Sequence, residues 1–302
     1  MKAAVITAST KPPRYGDYPD PVPNGPGEML VDVVGAGLHH LTRGRASGRH
    51  YTGVGVLPLV PGVDGVGRGP DGKLRYFSQP PGQPGTMAEK TVIQVDHSIE
   101  LPEGGDPITV AAAMNPAMAS WLALKCRVPF QPGQRVLVVG ATGASGSIAV
   151  QIARYLGAAQ VIAAGRNESK LATLATLGAT DTATLDDPRL GALASEVDVV
   201  LDFLWGECAT ATMEAMLKQR PDRSTPLTWI HVGSMAGETA AIPGAFLRSA
   251  NLQIIGSGHG AVRDRDILTT LPELVDEIAR NPYPLDNKAV PLRDVEQARP
   301  HP

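Results

Sequence analysis

The stretch VLVVGATGASGSIAVQIARYLG, residues 136–157, carries the reading from which the rest follows. Its first part, together with Arg135, is a run of β-branched and aliphatic residues without polar alternation, the pattern of a strand buried on both faces. From Ser147 onward the apolar positions recur at helical spacing, and Gly157 stands where a helix of that length needs a left-handed closing residue. Between strand and helix lie Gly140, Gly143 and Gly146, a G-x-x-G-x-x-G spacing. Glycine there permits a tight turn and lets the backbone come close to a ligand. The free N–H groups that open a helix then point at an anion. A strand, a glycine turn and a helix in one βαβ unit form a pyrophosphate cradle, with Gly140, Thr142, Gly143, Ala144, Ser145 and Gly146 as its expected contacts.

Working outward toward the C-terminus, QVIAA (160–164) reads as the next strand and ESKLATLATLG (168–178) as the next helix. VDVVLDFL (197–204), LTWIHVG (227–233) and NLQIIGSG (251–258) supply three more β segments, and a last helix runs from about Asp264 to Arg280. Strands alternating with helices of this length imply a parallel sheet with helices on both faces. The second strand decides between the two nicotinamide dinucleotides. An acidic residue there would hold a ribose 2′-hydroxyl and repel a 2′-phosphate. The chain instead has Gly165-Arg166-Asn167, with Lys170 in the first helical turn, and a guanidinium can grip a phosphate with two hydrogen bonds. NADPH is the expected cofactor, held by Arg166, Asn167 and Lys170. Phe203, Leu204 and Trp205 follow a strand at the carboxyl edge of this sheet, where ligands sit, and offer an apolar bed. Asp198 and Asp202 read as strand-end hydrogen-bonding residues, and Ile148, Ile152, Leu171 and Leu174 as core.

Toward the N-terminus the texture differs. Short β-rich runs at 3–7, 29–38 and 86–95 alternate with Pro/Gly clusters, which suggests a barrel-like β unit. LPLVPGVDGVGRG (57–69) carries too many Gly and Pro for a regular element. An Ala-rich helical segment follows from about residue 107, expected to be interrupted or restarted at Pro116.

Composition narrows the class. The 302 residues are 43% apolar and 19% charged with a net charge of −3, so a packed globular chain is expected and a phosphate-backbone partner is not. Two cysteines, Cys126 and Cys208, cannot build a disulfide framework or a four-cysteine zinc lobe. The start, MKAAVITAST, lacks the layout of a secretion signal, and no run of about 20 apolar residues is read as a membrane span, so a cytoplasmic protein is expected.

Taken in order, several segments resemble the medium-chain dehydrogenase/reductase superfamily, in its zinc-independent, quinone-oxidoreductase-like branch. They are GAGL (35–38), LPLVPGVDGVGR (57–68), GTMAEKTV (85–92), MNPAMASWLAL (114–124), the turn described above, VVLDFLWG (199–206), and the loops GSMAG (233–237) and GSGHG (256–260). The resemblance implies an α/β protein with a GroES-like catalytic domain (1–113), a Rossmann domain (114–260) and a C-terminal return to the first (261–302). It also implies a nicotinamide bound between the two domains, with Asn115, Gly233, Ser234 and His259 joining Leu204 and Trp205 as cofactor contacts. A homodimer through the last Rossmann strands near NLQII is implied too, and the β-strand that usually follows the VEQA-like stretch (295–298) is expected to be missing.

Two departures matter. Zinc alcohol dehydrogenases of the superfamily place His-Glu where this chain has Val63-Asp64, and Val63 cannot bind a metal. A zinc site needs three protein ligands, and His39, His40, His50 and Asp64 could in principle assemble one in its place. The Asn and Asp that many relatives carry after the GL turn are here His39 and Thr42. His39 is then either a proton donor or a structural histidine bonded to backbone. Tyr51 either orients a substrate oxygen or lines a domain rim, and His259 is either an acid or a cleft wall. The expected activity is NADPH-dependent hydride transfer to a quinone or an α,β-unsaturated carbonyl. A non-catalytic NADPH-binding sensor and a zinc-type alcohol dehydrogenase are the alternatives.

Overall fold

The computed structural model describes residues 1–8, 11–48, 56–79, 83–258, 260–285 and 287–298; Tyr51, His259 and His50 lie outside them. The chain divides into two units, 1–115 with 271–302, and 116–270.

The first unit holds β1 (Lys2–Val5), β2 (Arg14–Asp17), β3 (Glu28–Ala36), α1 (His40–Ala46), β4 (Asp64–Arg68), β5 (Leu74–Ser78), β6 (Lys90–Gln94) and β7 (Ser98–Glu100). β1 and β2 form an antiparallel pair, and the other five make an antiparallel sheet in the order β6-β3-β4-β5-β7. Val31, Phe77 and Ile93, all 3% exposed or less, pack on one another across its strands.

β4 corrects the expectation that 57–69 holds no regular element: it is the central strand of that sheet. Its glycines are what allow it. A Cβ at Gly65 would lie 2.5 Å from the Gly35 carbonyl oxygen, and one at Gly67 would lie 2.9 Å from Val31. β3 carries a bulge between Val33 and Gly35, and the crowding there leaves room for glycine alone.

The helix expected to break at Pro116 instead runs unbroken as α2 (Pro107–Leu122), then loosens into a π-helical turn over Ala123–Arg127. Met114, Ala117 and Trp121 are fully buried along it, and that packing offsets the hydrogen bond that proline removes. Contrary to expectation, the run Pro107–Arg127 has the length and hydropathy of a membrane span; 56% of its most apolar window is buried inside the protein, as in a core helix.

The second unit is built on β8 (Arg135–Val139), α3 (Ala144–Tyr155), β9 (Gln160–Gly165), α4 (Glu168–Thr176), β10 (Asp181–Thr184), α5 (Leu190–Leu193), β11 (Val199–Asp202), α6 (Gly206–Gln219), β12 (Leu227–His231), α7 (Gly244–Ser249) and β13 (Leu252–Gly256). All six strands are parallel, in the order β10-β9-β8-β11-β12-β13. The order reverses at β8: the next two strands in the chain lie on one side of it and the last three on the other. That is the doubly wound Rossmann arrangement, whose ligand crevice opens at the reversal. Ile148, Ile152, Leu171 and Leu174 are core residues as read. Gly157 has φ +89 and follows α3, so the left-handed cap is where the helix pattern required it.

The last helix, α8 (Asp264–Arg280), buries Leu271, Leu274, Val275 and Ile278, an i, i+3, i+4, i+7 stripe. A short 3-10 stretch, Leu292–Gln297, covers the VEQA-like region.

Candidate cofactor site and an acid-base cluster

β8 delivers the chain into the glycine turn from the centre of the sheet, with Val136–Val139 fully buried. Gly140 has φ +90, and its N–H and that of Ala141 both reach the Ala164 carbonyl at 2.9 Å. The Gly143 N–H closes the turn on the Gly140 oxygen at 3.1 Å. Gly146 sits in the first turn of α3, where a Cβ would lie 2.2 Å from that same oxygen and 2.7 Å from Ala141 Cα. The helix start is therefore pressed against the strand end. Gly143 precedes the helix and has no side chain to cap it, so the N–H groups of Ala144, Ser145 and Gly146 stay available to an anion. These residues fit a dinucleotide pyrophosphate.

At the end of β9, Gly165 lies flush against Thr142, with room for no Cβ: one would be 2.6 Å from Thr142 Cγ2. Arg166, Asn167 and Lys170 follow, all exposed. Asn167 caps α4, its Oδ1 accepting from the Lys170 N–H at 3.0 Å and the Ser169 hydroxyl at 2.7 Å. The local fold thus uses the Asn167 oxygen, while Arg166 and Lys170 follow, exposed, the strand end that abuts the glycine turn at Thr142.

On the other side of β8, the ends of β11, β12 and β13 are zipped together past the last strand residues. Val232 and Gly233 donate to the Asp202 carbonyl, Met235 to Phe203 and Ala236 to Leu204 at 2.7 Å, and Ser257 to His231 at 2.9 Å. The fully buried Asp202 carboxylate accepts from the Leu204 N–H at 2.8 Å, the Trp205 N–H at 3.0 Å and the Trp229 indole at 2.9 Å. Burial pushes the Asp202 carboxyl above its usual range, and those donors together with His231 pull it back. Asp198, by the same logic, accepts from the Arg135 N–H at 2.7 Å. Both aspartates hold strand ends, as read from sequence.

Trp205 has φ 57 and ψ −158, the one non-glycine residue at positive φ among those described. That region is close to glycine-only, and holding a bulky residue in it costs on the order of 1–3 kcal/mol. Its ring lies 4.5 Å from the His231 ring, tilted by 40°, and His231 Nε2 meets Ser234 Oγ at 3.1 Å. Sequence reasoning singled out Leu204, Trp205, Gly233 and Ser234 and missed His231. Only pairing of β11 with β12 reveals that His231 stands beside Trp205.

In the first unit, His39 caps α1: its Nδ1 accepts from the Thr42 N–H at 3.4 Å. That leaves the proton on Nε2, which meets Asp64 Oδ1 at 2.8 Å. Asp64 is fully buried and its other oxygen accepts from the Tyr76 hydroxyl at 2.9 Å. Burial and the Asp64 charge drive the Tyr76 phenol well above its usual range. The Thr42 hydroxyl donates to the Gly37 carbonyl at 2.9 Å. His39 keeps one edge exposed, at 12% of its side-chain surface. Its ring is thus held by a carboxylate as well as by backbone, and histidine, carboxylate and phenol form one cluster that spacing alone does not reveal. Asn115, half-buried, lies within α2.

Known proteins supply the decisive comparison. The probable NADPH-dependent quinone reductase tdiC of Emericella nidulans is 30% identical over 98% of this chain and 95% of its own length. The chain belongs to the medium-chain dehydrogenase/reductase superfamily, in its quinone-oxidoreductase-like branch. A family model described as zinc-binding dehydrogenase matches residues 144–278. The quinone oxidoreductase of Thermus thermophilus, solved also with NADPH, superposes with a TM-score of 0.73 at 29% identity, over 86% of this chain and 81% of that one. The trans-enoyl reductase pgmF of Aspergillus terreus is 29% identical over 50% of this chain and 48% of its own.

For this medium-chain reductase the two departures noted in its sequence gain structural content. Val63 is buried, and Asp64 is engaged by His39 and Tyr76. Among the described residues no three His, Cys, Asp or Glu side chains gather as a metal site would need.

Proposed function

We propose that this medium-chain reductase is an NADPH-dependent oxidoreductase that reduces a quinone or an α,β-unsaturated carbonyl without a catalytic zinc. The glycine turn carries the proposal: Gly146 is packed so tightly on Gly140 that a bare helix start is offered to the pyrophosphate. When bound, NADPH supplies a hydride to an electron-poor carbon of the acceptor. The chain's part is to hold and orient. Ala144, Ser145 and Gly146 bind the pyrophosphate through N–H groups, with Gly140, Thr142 and Gly143 shaping the turn. Arg166 and Lys170 take the 2′-phosphate, and Leu204, Trp205, Gly233 and Ser234 wall the far half. Asn115 joins them. The His39–Asp64 pair fixes the His39 ring, with Nε2–H engaged by Asp64 and Nδ1 by the Thr42 N–H. His39 is the described candidate for protonating the reduced acceptor once its ring turns from Asp64 or takes up a second proton from solvent. The absence of zinc from the reaction is supported by Val63 at a ligand position and by the engagement of Asp64. The relatives named quinone reductase and trans-enoyl reductase support the two substrate classes. We place the enzyme in the cytoplasm, in keeping with Cys126 and Cys208 both being free thiols, and read it as a homodimer.

The test is NADPH oxidation against a panel of quinones and enones, with metal analysis of the same preparation. Turnover of at least one acceptor by zinc-free protein is expected. Tight NADPH binding with no turnover would instead make it a non-catalytic NADPH-binding protein, and stoichiometric zinc would make it a zinc-type dehydrogenase. Replacing Arg166 by Ala should cut the preference for NADPH over NADH roughly tenfold or more; an unchanged ratio would refute the 2′-phosphate reading.

A further inference from the structure

The sheet order says more about the bound dinucleotide than the glycine turn alone. The pyrophosphate cradle ends β8, and Arg166 follows β9, its neighbour on one side. A dinucleotide whose centre sits at β8, with its 2′-phosphate over β9, must run its other half across the ends of β11 and β12. Those ends carry Trp205 and His231.

We infer that His231 is a positioning residue for the nicotinamide half of NADPH, fixing the Trp205 indole as a wall against which that half packs. The inference rests on the cofactor reading given above. Three observations support it. Trp205 occupies a backbone conformation that favours glycine, at φ 57 and ψ −158, so its indole is retained there against local preference. Strain of this kind persists where the surroundings over-determine it, and it clusters at ligand clamps. The surroundings are visible: the buried Asp202 carboxylate holds the Trp205 N–H at 3.0 Å, and the His231 ring packs on the indole at 4.5 Å. His231 is in turn oriented by Ser234 Oγ at 3.1 Å, and its own carbonyl ties down the Ser257 N–H. One histidine therefore joins the loops that leave β11, β12 and β13. Without it the indole would be free to leave its strained position, and a ligand would have to bear the cost of ordering it.

Two ligands separate this from general structural damage: NADPH, and 2′,5′-ADP as a probe of the adenosine half alone. Dissociation constants are measured for the wild type and for His231→Ala, His231→Phe, Trp205→Ala, Trp205→Gly and Trp205→Phe, with thermal unfolding of each. His231→Ala, Trp205→Ala and Trp205→Gly should weaken NADPH binding about five- to tenfold, the scale of one lost aromatic pair, and leave 2′,5′-ADP within twofold. His231→Phe and Trp205→Phe, which keep a ring, should hold NADPH within about threefold. Trp205→Gly should melt above Trp205→Ala, because only glycine relaxes the strained backbone.

If His231→Ala binds NADPH as the wild type does, His231 has no positioning role whatever the Trp205 variants show, although the cofactor reading stands. Equal weakening for both ligands would also overturn the proposal, since the damage would then not be confined to one half. Wild-type protein that binds neither ligand would sink the cofactor reading itself. Should His231→Ala fail to fold, His231→Asn, which keeps a polar group toward Ser234 but removes the ring packed on Trp205, takes its place with the same expected weakening of NADPH binding, and Trp205→Gly takes the place of Trp205→Ala.

Discussion

At the scale of single residues, the chemistry-bearing groups are held by neighbours far away in sequence. His39 owes its orientation to Thr42, close by, but its proton is directed at Asp64, which folding brings beside it at 2.8 Å. Removing the imidazole would leave a fully buried carboxylate with the Tyr76 phenol as its remaining side-chain partner. His39→Ala is therefore expected to destabilise the protein by about 1–3 kcal/mol, the cost of an under-satisfied buried polar group, and to lower turnover with NADPH binding unchanged. His39→Gln, which can still donate to Asp64, should recover most of the stability and none of the lost proton transfer. Denaturant melts and steady-state kinetics on the two variants check this; a weakened NADPH affinity would show instead that His39 acts on the cofactor.

At the scale of elements, glycine sets where two strands and one helix can lie. Gly146 decides how close α3 comes to the end of β8, and Gly65 decides how close β4 comes to the bulged part of β3. A methyl group at 65 would meet the Gly35 oxygen at 2.5 Å, a backbone atom with no rotamer to escape into. Gly65→Ala should cost roughly 1–3 kcal/mol in overpacking and lower the melting temperature, whereas Gly72→Ser, in a turn whose Cβ would meet open space, tests only the strain of a positive φ. An unchanged melting temperature in Gly65→Ala would mean that β3 and β4 can separate without loss. This is also where pattern reading failed. A Gly- and Pro-rich stretch has no periodicity to betray a strand, and β4 exists because neighbours on both sides leave it no other place. α2 failed in the opposite direction: Pro116 is a breaker by local rule, yet buried Met114, Ala117 and Trp121 hold the helix through it.

At the scale of the whole molecule, β13 is the outermost strand of the parallel sheet, with β12 on one side of it. An edge with unpaired backbone groups is a natural template for a second copy. The homodimer reading predicts a solution mass twice the chain's 31.6 kDa, and Gln253→Lys, which places a charge on that exposed edge, should shift it toward the monomer; sedimentation showing a wild-type monomer would refute it. The residues alone determined the Rossmann unit, because buried parallel strands, capped helices and a glycine turn are each specified by neighbours within a few positions. Gly157, Asp198, Asp202 and the core face of α3 were legible for that reason. Only the tertiary structure decided that β4 is a strand, that His39 and Tyr76 both donate to Asp64, and that His231 stands beside a strained Trp205. Each of these depends on pairing between segments distant along the chain. Such pairing is set by packing and close backbone approach, for which a single sequence carries no local period.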